Sequence, residues 1–551
     1  MRTFIILLLA AGNSFSQISP EWVAKYNGTG NGMDQSRYIA VDRSGNVYIT
    51  GRSRPDSNGT TFDFVTIKYD PLGNQLWVQG YNGPAGNDDT PNSITVDQNG
   101  SVYIAGGSKG NGSGYDYALI KYSTTGNLLW VARYTTTVAD IAYSVGVDNS
   151  GNAYVTGISD GSYFDDYATV KYNSEGVQQW VQRYNGTGNY KDGANALVVD
   201  IGGNVYVTGY SNGGSTGMDI ATVKYNTSGT LQWVSRYAGP AASGGDYGQD
   251  ITIDNLGNIY VTGNSYGVTG EEDYITIKIN PSGNQIWAQR YNGPGNNIDK
   301  SNNISVDLSG NVFITGTSKG SGLLDDFATI KYNSDGEQVW LQRYNGTMNH
   351  VDEAKSLVVD STGGVYISGV SRNNTTGNDI TTIKYNSDGF QQWIAIFNST
   401  AGNNSDYGES IAIDHLGNVF VTGYFASSIS SDDYVTLKYS QSIGITQISN
   451  EIPINFMLHQ NYPNPFNPVT KIRFDVALDS RNHGSNKVVL KVFDVMGREI
   501  TTLVNEKLNP GKYEVDFTAP LGDDKIFASG VYFYSFRAGD YFKTKKMVLI
   551  K

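Results

Sequence analysis

Three aspartates recur once per repeat along most of this 551-residue chain, and they are its most conspicuous side chains able to do chemistry. The first set is Asp34, Asp89, Asp140, Asp192, Asp246, Asp299, Asp352 and Asp406. The second, eight residues further on in each copy, runs Asp42, Asp97, Asp148, Asp200, Asp254, Asp307, Asp360 and Asp414. The third is Asp63, Asp116, Asp166, Asp219, Asp273, Asp326, Asp379 and Asp433, with a lysine five residues after each, from Lys68 to Lys438. Carboxylates are hard oxygen ligands, so rings of them could hold Ca2+. The clustered D-x-D-x-D-G spacing of a calcium loop is missing, however. A metal or catalytic site is single and asymmetric, whereas a residue present in all eight copies serves something each copy needs, such as a turn cap or a buried ion pair. The recurrent acids are therefore expected to be scaffold. No cofactor is evident, and Ca2+ is possible without being the favoured reading.

Other catalytic chemistry is scarce. The chain has no cysteine, which excludes disulfides, thiolate metal sites and a thiol nucleophile. Its four histidines, His350, His415, His459 and His483, form neither H-x-H nor H-E-x-x-H. There is no G-x-S-x-G elbow, phosphate-binding loop or dinucleotide fingerprint after a strand. Paired carboxylates for glycoside hydrolysis depend on a separation that sequence does not contain. A site should then lie where the copies differ. Candidates are Arg52 and Arg54 beside Pro55, the aromatic and basic set Tyr163, Phe164, Tyr190 and Lys191, the acidic pair Glu271 and Glu272, and His350.

The elements that must position these residues follow from the tryptophans. Trp22, Trp77, Trp130, Trp180, Trp233, Trp287, Trp340 and Trp393 stand 50 to 55 residues apart, and they are all the tryptophans in the chain. One unit reads DKSNNISVDLSGNVFITGTSKGSGLLDDFATIKYNSDGEQVWLQRYNG, which divides into four short strands rich in Val, Ile, Thr and aromatics. Strands one and two are joined by Asp-x-x-Gly, as in Asp307 to Gly310, and strands three and four by Asn/Asp-x-x-Gly, as in Asn333 to Gly336. In such turns the acid or amide accepts backbone N–H groups and Gly supplies positive φ. The two short turns share one end of each sheet, so the long variable loops share the other. The expected fold is all-β: an eight-bladed β-propeller of four-stranded blades. The last copy lacks its fourth strand, and EWVAKYNG around Trp22 is the spare one that would close the ring.

The VDxxGNVYVTG segments resemble the SBBP beta-propeller repeat family and, more loosely, the NHL repeat, over about residues 22–440. The resemblance implies a propeller in a secreted protein and assigns no catalytic residue. Segments such as NSDGEQVW also resemble the tryptophan docking motif of quinoprotein dehydrogenases, but with one residue fewer before the Gly and without that family's vicinal cysteines.

The N-terminus, MRTFIILLLAAGNSFSQ, combines Arg2, an apolar run and small residues at Ser14 and Ser16, the pattern of a signal peptide over 1–16. No segment is long and apolar enough to cross a bilayer as a helix. Net charge is −13, but residues 459–551 carry 14 Lys+Arg against 10 Asp+Glu, leaving −17 on the rest. Such an acidic body repels phosphate backbones, so nucleic acid is not an expected partner.

After the propeller at 17–440 and a linker at 441–458, residues 459–551 alternate in strands with Gly turns, a small Ig-like β-sandwich by pattern. The motifs NYPNPFNP, FDVMGRE, GKYEVDF, SGVYFY and KKMVLIK carry Asn461, Tyr462, Pro463, Asn464, Pro465, Phe466, Gly530, Val531, Tyr532, Lys545 and Lys546. In that order they resemble the type A sorting domain of the type IX secretion system. The resemblance implies a Gram-negative host, the secretion machinery as partner, and a mature chain released or held at the outer cell surface. The expected function is a monomeric binding or adhesion module for an extracellular glycan or protein. The alternatives are a polysaccharide-acting enzyme using carboxylates on the variable face, and a structural surface-layer component.

Overall fold

A computed structural model describes residues 16–550, apart from 55–58, 113, 162–163, 242–243, 269, 321–323, 347–349, 374, 400–404, 428–430, 441–445, 450, 468, 479–485 and 519–528. The stretch 1–15 of the expected signal peptide lies outside them. The chain divides into two compact units, Met1–Asp414 with Val419–Tyr439, and Ser440–Lys551 with His415–Asn418.

The first unit is a β-propeller. Blade 1 is the antiparallel sheet Asp34–Val41, Val47–Ser53, Asp63–Tyr69 and Gln75–Tyr81. The same four-strand order recurs at 89–134, 140–184, 192–237, 246–291, 299–344 and 352–397, here called blades 2 to 7. Blade 8 takes three strands from 406–439 and its outer strand from Trp22–Tyr26, which runs antiparallel to Asp432–Tyr439 with Trp22 opposite Lys438. Strand one of every blade touches strand one of the next, and blade 8 meets blade 1, so these strands form the inner wall of a closed ring. Ser16–Gln17 adds a short parallel strand beside Trp393 and Ile394 of blade 7.

Apolar residues occupy both faces of strands two and three because each blade packs between two others. The core is therefore a series of interblade clusters. Tyr103, Tyr117 and Leu119 of blade 2 pack with Ala142, Val155 and Val170 of blade 3. Phe420 and Tyr434 of blade 8 pack with Ile49 and Ile67 of blade 1.

Polar clamps complete these joints. Trp77 Nε1 and Lys68 Nζ of blade 1 both donate to the Thr124 carbonyl oxygen in the outer turn of blade 2, at 3.1 and 3.0 Å. In that turn Gly126 has φ +84°, and a Cβ there would lie 2.8 Å from the Trp77 ring, so the indole seats directly on glycine backbone. The Trp–Lys clamp recurs on Pro71, Ser174, Thr227, Ser334 and Ser387. The recurring lysine thus ties one blade to the next and is not the partner of the third aspartate ring. Trp393 faces the broken blade, where strand three ends at Tyr439, and its ring packs 5.9 Å from the ring of Tyr439.

The second unit holds two four-stranded sheets, one containing Val469–Val476 and Gly511–Thr518, the other Asn486–Phe493 and Gly530–Ala538. Ile472, Phe474 and Val515 of the first face Leu490, Tyr534 and Phe536 of the second in one core. Thr446–Ser449 and Met457–Leu458, read from sequence as linker, pair onto the first sheet as strands. Their brevity and the prolines that follow hid a strand signal that only pairing reveals.

Candidate functional site

The three aspartate rings have separate scaffold tasks. In the first, Asp34 is fully buried and accepts the Gly28 N–H at 2.7 Å and the Ser53 hydroxyl. It thereby anchors the loop that enters blade 1, as Asp89, Asp192 and Asp299 anchor theirs through Gly83, Gly186 and Gly293. In the second, Asp42 Oδ1 accepts the Ser44 and Asn46 N–H groups at 2.8 and 2.9 Å. Asp42 Oδ2 accepts Tyr48 Oη, which also reaches the Gly100 carbonyl of the next blade. In the third, an arginine on strand four bridges the sheet. Arg133 Nη2 donates to Asp116 Oδ2 at 2.7 Å and to the Ser108 carbonyl at 2.8 Å, while Nη1 reaches Ser108 Oγ and Tyr81 Oη. Arg183, Arg236, Arg290 and Arg343 repeat the arrangement in blades 3 to 6. Among the described residues no three of His, Cys, Asp and Glu gather as they would around a metal ion.

Asymmetry enters on the inner wall. Every first strand has a one-residue bulge three positions after its aspartate, at Arg37, Asn92, Tyr143, Asn195, Gln249, Asn302, Lys355 and Glu409. Bulges redirect a side chain and mark places where a sheet is adapted to a task. Asn92, Asn195 and Asn302 brace the neighbouring inner strand by donating to the carbonyls of Ala142, Gly248 and Ala354 at 2.8, 2.7 and 2.6 Å. The charged three, Lys355, Glu409 and Arg37, fall on consecutive blades 7, 8 and 1. Arg37 Nε is buried with no hydrogen-bond partner among the described residues. Burial raises the Glu409 carboxyl, Lys355 and Arg37 oppose that shift, and Glu353 adds to it.

Around this trio stands a polar and aromatic mouth. Arg52 Nη2 and Nε donate to Gln35 Oε1 at 2.7 and 3.0 Å, and Gln35 Nε2 donates to Asp432 Oδ2 at 2.6 Å across the joint of blades 8 and 1. The Arg52 and Arg54 guanidinium groups lie 4.5 and 4.6 Å from the centre of the Phe62 ring. Burial pulls Arg52 below the usual guanidinium range, with Arg37 and Arg54 adding to the effect. Tyr407 and Tyr424 stack at 4.9 Å and 22°. Opposite in the ring, Asp250 on the strand-one position after Gln249 accepts the Ile304 N–H at 3.1 Å and Asn303 Nδ2 at 2.5 Å, and burial pushes its carboxyl up to about 6.

The loop residues singled out from sequence do not form one site. Arg52 and Arg54 join the mouth. Phe164 and Tyr190 make a separate pair with ring centres 4.2 Å apart, with exposed Lys191 alongside them in the chain. Tyr163 and Pro55 lie outside the described residues. Glu272 pairs with Lys300 of blade 6 at 3.4 Å, and Glu271 beside it is half-buried. His350 is half-buried ahead of blade 7. Arg37, Lys355 and Glu409 escaped the sequence reading, which looked only at loops. Comparing the third residue after each first-ring aspartate across copies would have found them.

In the second unit, Asn461 is the buried hub of its motif. Its Nδ2 donates to the Pro463 carbonyl at 3.0 Å and to Thr470 Oγ1 at 2.9 Å, and its N–H donates to Tyr534 Oη. Tyr462, Pro463, Asn464 and Pro465 project outward, Phe466 returns to the core, and both X-Pro bonds at 462–463 and 464–465 are cis. Gly530 and Val531 lead a central strand, buried Tyr532 follows them, and Lys545 and Lys546 lie on the edge strand beside it.

Family models agree with both units. A beta-propeller repeat model matches residues 21–54, 81–112, 179–215, 232–268, 286–323 and 392–424, and a secretion system C-terminal sorting domain model matches 460–551. The chain carries SBBP beta-propeller repeats and a type IX secretion C-terminal sorting domain. A curated relative, the uncharacterized WD repeat-containing protein L264 of Acanthamoeba polyphaga mimivirus, is 22% identical over 79% of this chain, which spans 36% of the relative's length. Among solved structures, a polysaccharide lyase, Uly1, aligns over 65% of this chain and 92% of its own at 13% identity and a TM-score of 0.39. A protein of unknown function from Dyadobacter fermentans aligns over 76% and 98% at 9% identity and a TM-score of 0.37. Scores at that level carry nothing about the site. The sorting domain directs this propeller protein through type IX secretion to the cell surface or extracellular space of a Gram-negative bacterium. Among the described residues no helix is long and apolar enough to cross a membrane.

Proposed function

We propose that this exported propeller is a non-catalytic binding or adhesion module, and that the mouth of its inner wall at blades 7, 8 and 1 binds an extracellular glycan. The observation that carries this reading is the run of Lys355, Glu409 and Arg37 on three consecutive bulges of a ring whose other bulges are uncharged. Repetition makes scaffold, so a departure from repetition at one mouth marks a site. The chemistry there suits sugars. The stacked Tyr407 and Tyr424 offer ring faces, and Arg52, Gln35 and Asp432 form a chain of planar donors and acceptors matched to hydroxyl groups. No nucleophile with an adjacent base stands among them.

Binding of the exported protein to a glycan array, followed by calorimetry on the best hit, tests the proposal. Combined Arg37→Ala, Lys355→Ala and Glu409→Gln changes should weaken binding by about tenfold or more, since each removes a partly desolvated charged contact. Unchanged affinity in that variant would move the ligand away from the mouth. Sugar products released by the protein would point to the enzymatic alternative, and binding of proteins with no glycan hit would point to a protein ligand.

A further inference from the structure

The mouth at the joint of blades 8 and 1 gathers three guanidinium groups that the scaffold does not use. The strand-four arginines of blades 2 to 6 each hold an aspartate at 3.0 Å or less. Among the described residues, Arg37, Arg52 and Arg54 of blade 1 hold no carboxylate in this way. Arg52 donates from Nε and Nη2 to the amide oxygen of Gln35, its cross-strand partner, and reaches Asp432 through that amide rather than directly. Arg54 stands two positions on, where its N–H donates to the Met33 carbonyl at 2.9 Å, and its guanidinium shares the Phe62 ring with that of Arg52. Arg37 leaves strand one at the bulge two residues after Gln35.

Like charges held together raise their free energy unless an anion joins them. Arg37 and Arg54 both act against the charge on Arg52. The acids of the mouth do not balance the three. Lys355 Nζ already binds Glu353 Oε2 at 2.6 Å, which closes that pair on itself. Three guanidinium groups then face Glu409 and Asp432, with one positive charge in excess. Tyr424 acts on both Arg37 and Arg52 and stacks with Tyr407, so an aromatic face adjoins the cations. A guanidinium presents a planar fork of donors that matches the oxygens of a carboxylate or a sulfate, whereas an ammonium presents a point charge.

We infer that the glycan taken by this mouth is acidic. Arg37, Arg52 and Arg54 receive an oxyanion carried by the sugar, a uronate carboxylate or a sulfate ester, while the tyrosine pair carries a sugar ring. The inference rests on the glycan reading and adds the class of sugar.

The test screens the full-length protein on an array of uronate, sulfated and neutral glycans. Calorimetry then compares the best acidic hit with its own neutral form, as polygalacturonate with its methyl ester or a sulfated galactan with the desulfated galactan. The acidic form should bind about tenfold or more tighter, and which pair responds separates carboxylate from sulfate. Its affinity should fall as salt rises from about 50 to about 500 mM, a readout that needs no variant. Arg37→Gln should remove most of the preference and leave binding of the neutral form within about twofold, with the melting temperature showing that the variant is folded. Arg52→Lys keeps the charge without the fork and should also reduce the preference. Tyr407→Ala should weaken both forms alike. Array hits that are neutral only, equal binding of the two forms, or a preference that survives both Arg37→Gln and Arg52→Lys would overturn the inference and leave the glycan reading standing. Absence of any glycan hit would remove that reading, and this inference with it.

Discussion

At the scale of single residues, this propeller repeatedly places carboxyl groups inside a fold and satisfies them with backbone and hydroxyl donors. Not all are satisfied equally. Asp34, Asp63, Asp250 and Asp406 are each held near 6, with burial as the leading cause, against 3.8 for a free aspartate. Between those values the folded protein binds more protons than the unfolded chain, so stability falls as pH rises. The penalty is absent below about 3.8 and complete above about 6. The melting temperature should accordingly rise when pH is lowered from about 7.5 to about 5. Asp250→Asn keeps an acceptor for the Ile304 N–H without the charge, and should flatten that rise by about 1 kcal/mol of pH-dependent stability. A variant with the wild-type slope would mean that Asp250 does not titrate in this range. Glu514 of the sorting domain has the opposite sign: against the burial that raises it, Lys471 and Arg473 hold it below the ordinary glutamate value, so its contribution is lost as pH falls. That loss comes at more acidic pH than the rise in the propeller.

At the scale of elements, the unit of stability is the joint between blades. A blade cannot bury both faces alone, and its outer turn is the seat for the preceding blade's tryptophan. Gly126 shows how tight the seat is, with positive φ and the Trp77 ring against its α-carbon. Gly126→Ala should cost about 1–3 kcal/mol, read as a lower urea midpoint, since it combines backbone strain with overpacking. Gly112 has φ +94° and nothing within 4 Å of the place a methyl group would take, so Gly112→Ala carries the backbone part alone and should cost less. Equal losses would show that the indole yields at no cost. The bulge on strand one is the other decisive element. It frees one side chain per blade from the ladder, and the ring uses three of these asparagines as braces and leaves the charged three on one arc.

At the scale of the whole molecule, closure governs the rest. Trp22–Tyr26 supplies the outer strand of blade 8, and Trp22 Nε1 and Lys438 Nζ both clamp the Pro71 carbonyl of blade 1, at 3.2 and 3.0 Å. Two strands distant in sequence thus share one clamp, and closing the ring leaves no interior blade face exposed. Deleting residues 17–30 should lower the melting temperature of the entire propeller and expose the Asp432–Tyr439 edge to self-association, seen by calorimetry and light scattering. An unchanged transition with no added association would refute this role for the N-terminal strand.

The repeat, its four strands, its turns, its spare strand and its export domain were all legible in the order of the residues. Each rests on local chemistry: alternating β-formers, Asp and Gly at fixed turn positions, and motifs read in order. That the recurrent aspartates are scaffold was legible too, because a feature present in every copy cannot single out one site. Which partners those aspartates take was not. The arginine of the third ring sits 17 positions away from its aspartate on another strand, and only pairing in the sheet brings them together. The mouth was further beyond reach. Gln35 and Asp432 are 397 positions apart and meet only because the ring closes between blades 8 and 1. The same closure sets Lys355, Glu409 and Arg37 side by side, turning three ordinary residues at opposite ends of the repeat array into one charged arc. That arc exists only in the folded ring, because it lies at the joint where the first and last copies meet.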